Sequence, residues 1–269
     1  MKPFFISPPR TRSSILYSLL EPYVIDNTNL LPIVGHTEPF LHVVQNKTVI
    51  DAYTQKHHLT EMFPVMNKNC MNIHYVYPWI YKDNRTSVIE KLKLLQKAKD
   101  EGREYYIKGT YNIAEALDET LEFFSDYDVI LTLRKDIIEL VASTLFAVHT
   151  KMFHPSSDAL EIYQSKIDEG IEIDQNTLKD IDGFLEKVCK IYKLKDKINA
   201  TVVYYEDLNS QEKIEKFLTS FVGSDKWKNY NHRYLPTKIE KDYSKIISNY
   251  DEMVEVICTN PNFLSLDHQ

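Results

Sequence analysis

Glycine is scarce in this chain, 6 residues in 269, and the Gly-x-x-x-x-Gly-Lys-[Ser/Thr] signature of nucleotide triphosphatases is absent. Cysteine is scarcer still. Cys70, Cys189 and Cys258 are odd in number and form no Cys-x-x-Cys pair, which excludes a disulfide framework and a cysteine zinc site and fits a reducing compartment. No apolar run approaches the ~18 residues of a membrane span, and Phe4-Phe5-Ile6 is too short for a signal-peptide core. A cytoplasmic protein without stable membrane insertion is expected. An excess of positive charge is also missing. The net charge of −7 argues against a dedicated nucleic-acid partner, while leaving room for a basic cleft inside an acidic envelope. His57-His58 and the pair His149 and His154 lack the i, i+4 spacing of a helical zinc pair, so no metal is expected.

What is present is enough apolar material, 43% of residues with 26% charged, to bury one α/β core over residues 1–269. Three apolar strands run into polar turns: residues 3–7 before Ser7-Pro8-Pro9-Arg10-Thr11-Arg12-Ser13-Ser14, 129–133 before Arg134-Lys135-Asp136, and 201–205 before Glu206-Asp207. A further strand is expected at Tyr105-Tyr106-Ile107, ending at Lys108-Gly109, and residues 71–77 alternate weakly. Helical spacing marks residues 13–20, 86–100, 113–124, 136–153 and 243–258, with Pro22, Pro32, Gly35 and Pro39 breaking the segment after the first helix. Residues 156–195 read as a helical insertion covering the site. Glu206 and Asp207 are expected to cap the helix that follows them. Strands alternating with helices predict a doubly wound parallel sheet, which binds ligands at the carboxyl ends of its strands.

The first turn sets cationic and hydroxyl side chains at the start of a helix, which is how a chain builds an anion site. Pro9-Arg10-Thr11-Arg12-Ser13-Ser14 resembles the phosphosulfate loop Pro-[Lys/Arg]-[Ser/Thr]-Gly-[Ser/Thr]-[Ser/Thr] of the sulfotransferases that use 3′-phosphoadenosine 5′-phosphosulfate (PAPS), with Arg12 at the glycine place. Arg134-Lys135-Asp136 followed by Val141-Ala142-Ser143 is similar to the bacterial members' Arg-Arg-Asp and Val-Ser. Tyr205-Glu206-Asp207-Leu208, Pro236-Thr237-Lys238 and Ile247-Ser248-Asn249-Tyr250-Asp251-Glu252 resemble their later motifs, in the same order.

The resemblance implies a P-loop-like sulfotransferase fold and transfer of a sulfuryl group from PAPS to a hydroxyl on a small molecule, sugar or lipid. It implies that Arg10, Thr11, Arg12, Ser13 and Ser14 surround the 5′-phosphosulfate, that Arg134 (with Lys135 as the competing choice) and Ser143 hold the 3′-phosphate, and that Lys238 assists. Arg10, always protonated, would stabilise charge on the departing phosphate. Gly35-His36-Thr37-Glu38-Pro39-Phe40 is similar to the bacterial loop that carries the base, with Glu38 the first choice and His36 the second. Two other readings of the same anion site are a nucleotide kinase and a non-catalytic nucleotide-binding protein.

Overall fold

The computed structural model describes residues 1–32, 84–150, 160–229 and 241–266. Its centre is a five-stranded, all-parallel sheet in the order β2-β3-β1-β4-β5, formed by Pro3–Ser7 (β1), Leu30–Pro32 (β2), Glu104–Thr110 (β3), Asp128–Leu133 (β4) and Thr201–Tyr204 (β5). β1 is buried along its whole length. It pairs with β3 on one side, Ser7 opposite Thr110, and with β4 on the other, Ile6 opposite Leu131. The order reverses direction between β1 and β4, so a crevice opens outside their carboxyl ends, where an open parallel sheet binds ligands.

Side chains alternate across the sheet and fix which layer each face meets. Phe5 points to the first helix, Ser13–Asn27 (α1), edge-on to Tyr17 at 5.9 Å. Tyr17 and Tyr106 stack at 4.2 Å, and each hydroxyl donates to the other's carbonyl at 2.9 Å. Phe4 points the opposite way and stacks on Phe124 at 3.8 Å. Gly109 continues β3 on that second face because a Cβ there would meet Ile113 at 3.1 Å and Phe4 at 3.2 Å. One apolar core joins both layers.

The remaining helices are Asn84–Asp100 (α2), Leu117–Phe123 (α3), Ile137–Thr150 (α4), Leu160–Glu169 (α5), Gln175–Tyr192 (α6), Gln211–Val222 (α7), Tyr243–Ile246 (α8), Tyr250–Cys258 (α9) and Pro261–Leu264 (α10). No helix among the described residues is long and apolar enough to cross a membrane. α6 turns Leu178, Ile181, Leu185 and Val188 into the core, and Asp174 caps its start by accepting from the N–H groups of Asn176 and Thr177.

Five local expectations differ from the structure. The helix expected over residues 113–124 is a 3-10 helix over Tyr111–Ala116 and becomes α-helical only over Leu117–Phe123. α1 runs through Pro22 to Asn27; the proline forfeits one helical hydrogen bond, and burial of Val24 beyond it keeps the helix going. β3 does not end at Lys108-Gly109 but continues to Thr110, because β1 pairs with it that far. Residues 243–258 form two helices rather than one. Between them Ile247 bridges to Ile171, the Ser248 N–H donates to the Ile171 carbonyl at 2.8 Å, and Asn249 exchanges two hydrogen bonds of 2.9 Å with the Ile173 backbone. Those bonds to another segment replace the helical ones. Finally, Glu206 does not cap the following helix: it accepts from the N–H groups of Lys135 (3.1 Å) and Asp136 (3.5 Å), and Ser210 caps α7 instead. The residues 71–77 lie outside the described residues.

Candidate functional site

Backbone geometry at the tip of β1 is unusual. Arg10 and Arg12 both have positive φ, 63° and 62°, the left-handed region in which a side chain is strained by roughly 1–2 kcal/mol. Arg12, which stands where the resembling loops carry glycine, thus adopts the glycine conformation and directly precedes α1. Three sets of contacts hold the loop in that shape. Ser7 Oγ donates to Ser13 Oγ at 2.9 Å, Thr11 Oγ1 donates to the Pro8 carbonyl at 3.1 Å and meets Thr132 Oγ1 at 3.0 Å, and Arg12 hydrogen-bonds the Leu208 carbonyl. Thr11 is fully buried, so its hydroxyl ties the loop to β4. Ser14 faces the β3 flank, where it accepts from Lys108 Nζ at 2.7 Å.

On the β4 flank, Arg10 Nε donates to Ser143 Oγ on α4 at 3.0 Å. The Arg10 guanidinium and the Ser143 hydroxyl each hydrogen-bond the Tyr243 side chain as well. Arg134, the residue after β4, is 8% exposed. Its backbone is clamped by Tyr192, whose hydroxyl accepts from the Arg134 N–H at 2.9 Å and donates to its carbonyl at 2.5 Å. Its guanidinium pairs with Glu139 at 3.0 Å and lies 4.5 Å from the centre of the Tyr205 ring, over which Arg12 also sits at 4.8 Å. The buried Arg134 Nε has no hydrogen-bond partner among the described residues. Lys135, by contrast, is exposed, 3.4 Å from Asp207 and over the Tyr204 ring. Of the two cations, Arg134 is the one turned inward.

Among the described residues, charge in this cluster is not balanced. Lys241 feels Arg10 and Arg134, both repelling, against one attracting carboxylate of that set, Glu139. Desolvation, and then the charge of Arg134, lower the pKa of Arg10, although an arginine stays protonated throughout the ordinary range. Burial raises the Glu139 pKa even beside Arg134. A surplus of positive charge among the described residues, with a buried guanidinium nitrogen that has no partner among them, is an arrangement that an anion completes.

The residues expected from sequence thus come together in part. Arg10, Arg12, Ser13, Ser14, Arg134 and Ser143 gather around the tips of β1 and β4, and Thr11 supports them from below. Glu38, His36 and Lys238 lie outside the described residues. Sequence reading missed Lys108, Tyr192, Tyr205, Lys241 and Tyr243. Lys108 carried a signal, a charge within an otherwise apolar strand, whereas the tyrosines read as core and rim residues, and Lys241 stands in a segment without periodicity. No family model, no curated protein and no solved structure matches this chain.

Proposed function

We propose that the chain is a PAPS-dependent sulfotransferase with a P-loop-like fold, acting on an acceptor hydroxyl of a sugar, lipid or small alcohol. The observation that carries this reading is the convergence of Arg10, Ser143 and Arg134 in one hydrogen-bonded, cation-rich cluster at the strand-order reversal. The unpartnered Arg134 Nε fits a phosphate, and Arg10, 3.0 Å from Ser143, fits a second anionic group across the same crevice.

PAPS, when bound, supplies the sulfuryl group and a phosphate as leaving group. Arg134 and Ser143 would hold the 3′-phosphate. Arg10, with Ser13, Ser14 and the N-terminus of α1, would neutralise the 5′ end, where negative charge grows as the sulfuryl group departs. Like-charge repulsion between Arg10 and Arg134 favours a ligand that presents one anionic group to each. Glu38, with His36 as second choice, is the proposed base that takes the acceptor proton.

Thermal-shift titration with 3′-phosphoadenosine 5′-phosphate, beside ATP with magnesium, tests the reading. Saturation at about a hundred times Kd stabilises a protein by roughly 2.7 kcal/mol. The expected result is a selective rise with the bisphosphate, lost in Arg134→Ala and kept in Lys135→Ala. A rise confined to ATP with magnesium would transfer the site to the kinase class.

A further inference from the structure

Among the described residues, Lys241 makes no ion pair, and Glu139 is the carboxylate that attracts it. Its ammonium hydrogen-bonds the Tyr163 hydroxyl, lies 3.5 Å from that of Tyr243, and sits over the rings of Tyr163 (4.5 Å), Phe146 (5.3 Å) and Tyr243 (5.8 Å). Elements distant in sequence build this cage: Phe146 on α4, Tyr163 on α5 and Tyr243 at the start of α8. Aromatic faces attract a cation but do not neutralise it, and Arg10 and Arg134 repel it.

From this geometry we propose that Lys241 is a binding residue of the anion site and the one that changes protonation there, so that filling the site with an oxyanion draws in one proton. Rigid guanidinium groups supply the fixed charge of the cluster, and the lysine supplies the adjustable charge. Desolvation first, and then Arg10 and Arg134, push the Lys241 pKa down to about 7, with Glu139 acting the other way. An oxyanion placed among the three cations reverses the balance and restores the ammonium.

The other ionisable groups facing the cluster do not replace it. Guanidinium groups stay protonated throughout the ordinary range. The Tyr243 phenol is held above its ordinary range by burial. Glu139 is the carboxylate on α4, with Asp136 and Asp242 further out, and its contribution is separable by Glu139→Gln. Among the described residues Tyr163 and Tyr205 also line the cluster, with Arg12 over the Tyr205 ring.

The linkage has a definite sign. Above pH 7 the free site lacks the proton that the filled site holds, so affinity falls up to about tenfold per pH unit; below pH 7 Lys241 is already charged and the dependence flattens.

The proposal rests on the donor reading only for the choice of nucleotide. Calorimetry with 3′-phosphoadenosine 5′-phosphate at pH 8.5, in buffers of different ionisation enthalpy, counts the protons. Phosphate groups with a second pKa near 6 are fully ionised there. Uptake of about one proton per nucleotide is expected in the natural chain and in Glu139→Gln, and none in Lys241→Arg, which still binds.

Inorganic sulfate, which does not titrate in this range, is the second probe. Its affinity should fall between pH 7.5 and 9 in the natural chain and stay level in Lys241→Arg. Sulfate binding with that pH dependence, but no nucleotide binding, would end the donor reading and leave the proton coupling standing. Proton uptake that persists in Lys241→Arg, or absence of binding by either probe, would overturn the proposal.

Discussion

Both ends of the parallel sheet carry a knot of charged side chains, and the two are built on opposite principles. At the amino end, Lys2 Nζ meets Glu104 at 2.7 Å and Asp126 at 3.1 Å, and Lys99 Nζ meets Asp126 at 3.0 Å and Glu104 at 3.6 Å. Two cations alternate with two carboxylates and the charges balance, although the buried Glu104 Oε1 accepts no hydrogen bond from the described residues. At the carboxyl end, Lys241 is repelled by Arg10 and Arg134 and attracted by Glu139, a guanidinium nitrogen of Arg134 lacks a partner among the described residues, and two residues of the adjoining loop sit at positive φ. The balanced knot holds β1, β3 and the turn before β4 together. The unbalanced one carries repulsion and backbone strain, features that proteins tend to concentrate at functional sites.

The largest effect expected from this contrast is on activity. Arg10→Ala should lower sulfuryl transfer from PAPS by about 10²-fold or more, while leaving the melting temperature of the unliganded chain unchanged or higher, since a repelling charge is removed. A melting temperature several degrees lower, as for loss of a structural contact, would erase the distinction between the two knots.

Asp126→Asn should act in the reverse manner, sparing transfer and reducing stability by about 1 kcal/mol, because its partners are partly exposed. Burial pushes the Asp126 carboxyl up, yet hydrogen bonds from Lys99 and Lys2 outweigh it and hold the pKa below the usual value. A depressed carboxyl stabilises fully above the unfolded pKa, about 3.9, and loses that contribution as pH falls through the lower folded pKa. Denaturation of the two proteins should therefore differ at pH 6 and converge below about pH 3. A gap that persists in acid would assign the effect to packing.

The smallest effect separates strain from contact within the β1 loop. Arg12→Ala and Arg12→Gly both lose the links to Leu208 and Tyr205. Only glycine also relieves the left-handed backbone, so Arg12→Gly should be the more stable of the two by about 1 kcal/mol. Equal stabilities in urea would mean that the loop relaxes out of the left-handed region once the side chain is gone.

Much of the scaffold is legible along the chain because it is set by local periodicity. Apolar runs end at polar turns at Ser7 and Leu133, and helical stripes such as Leu178, Ile181, Leu185 and Val188 are periodic enough to read directly. Departures come where a distant partner outbids the local preference. Ile171 and Ile173 draw residues 247–249 out of a helix that their spacing favours, and Glu206 serves the turn after β4 rather than its own neighbour. β2, three residues long at the sheet edge, has too few positions to show a period.

The site divides along the same line. Arg10, Ser13, Ser14, Arg134 and Ser143 stand in motifs whose residue types alone suggest anion binding. The inward turn of Arg134 and the outward turn of Lys135 depend on the Tyr192 clamp and on Asp207, residues far along the chain. Lys241 itself leaves no periodic trace, and nothing in the spacing of Phe146, Tyr163 and Tyr243 shows that they meet around it.

Residue order by itself determined that this chain forms alternating strands and helices around an apolar core, and that hydroxyl and cationic groups follow two of those strands, because both properties reside in short stretches of side chains. Tertiary structure alone decided that Arg10, Arg134 and Lys241 come close enough to repel one another, with Glu139 the attracting carboxylate among the described residues. Electrostatic imbalance depends on distance and burial, and those quantities exist only once the strands have paired and the helices have packed.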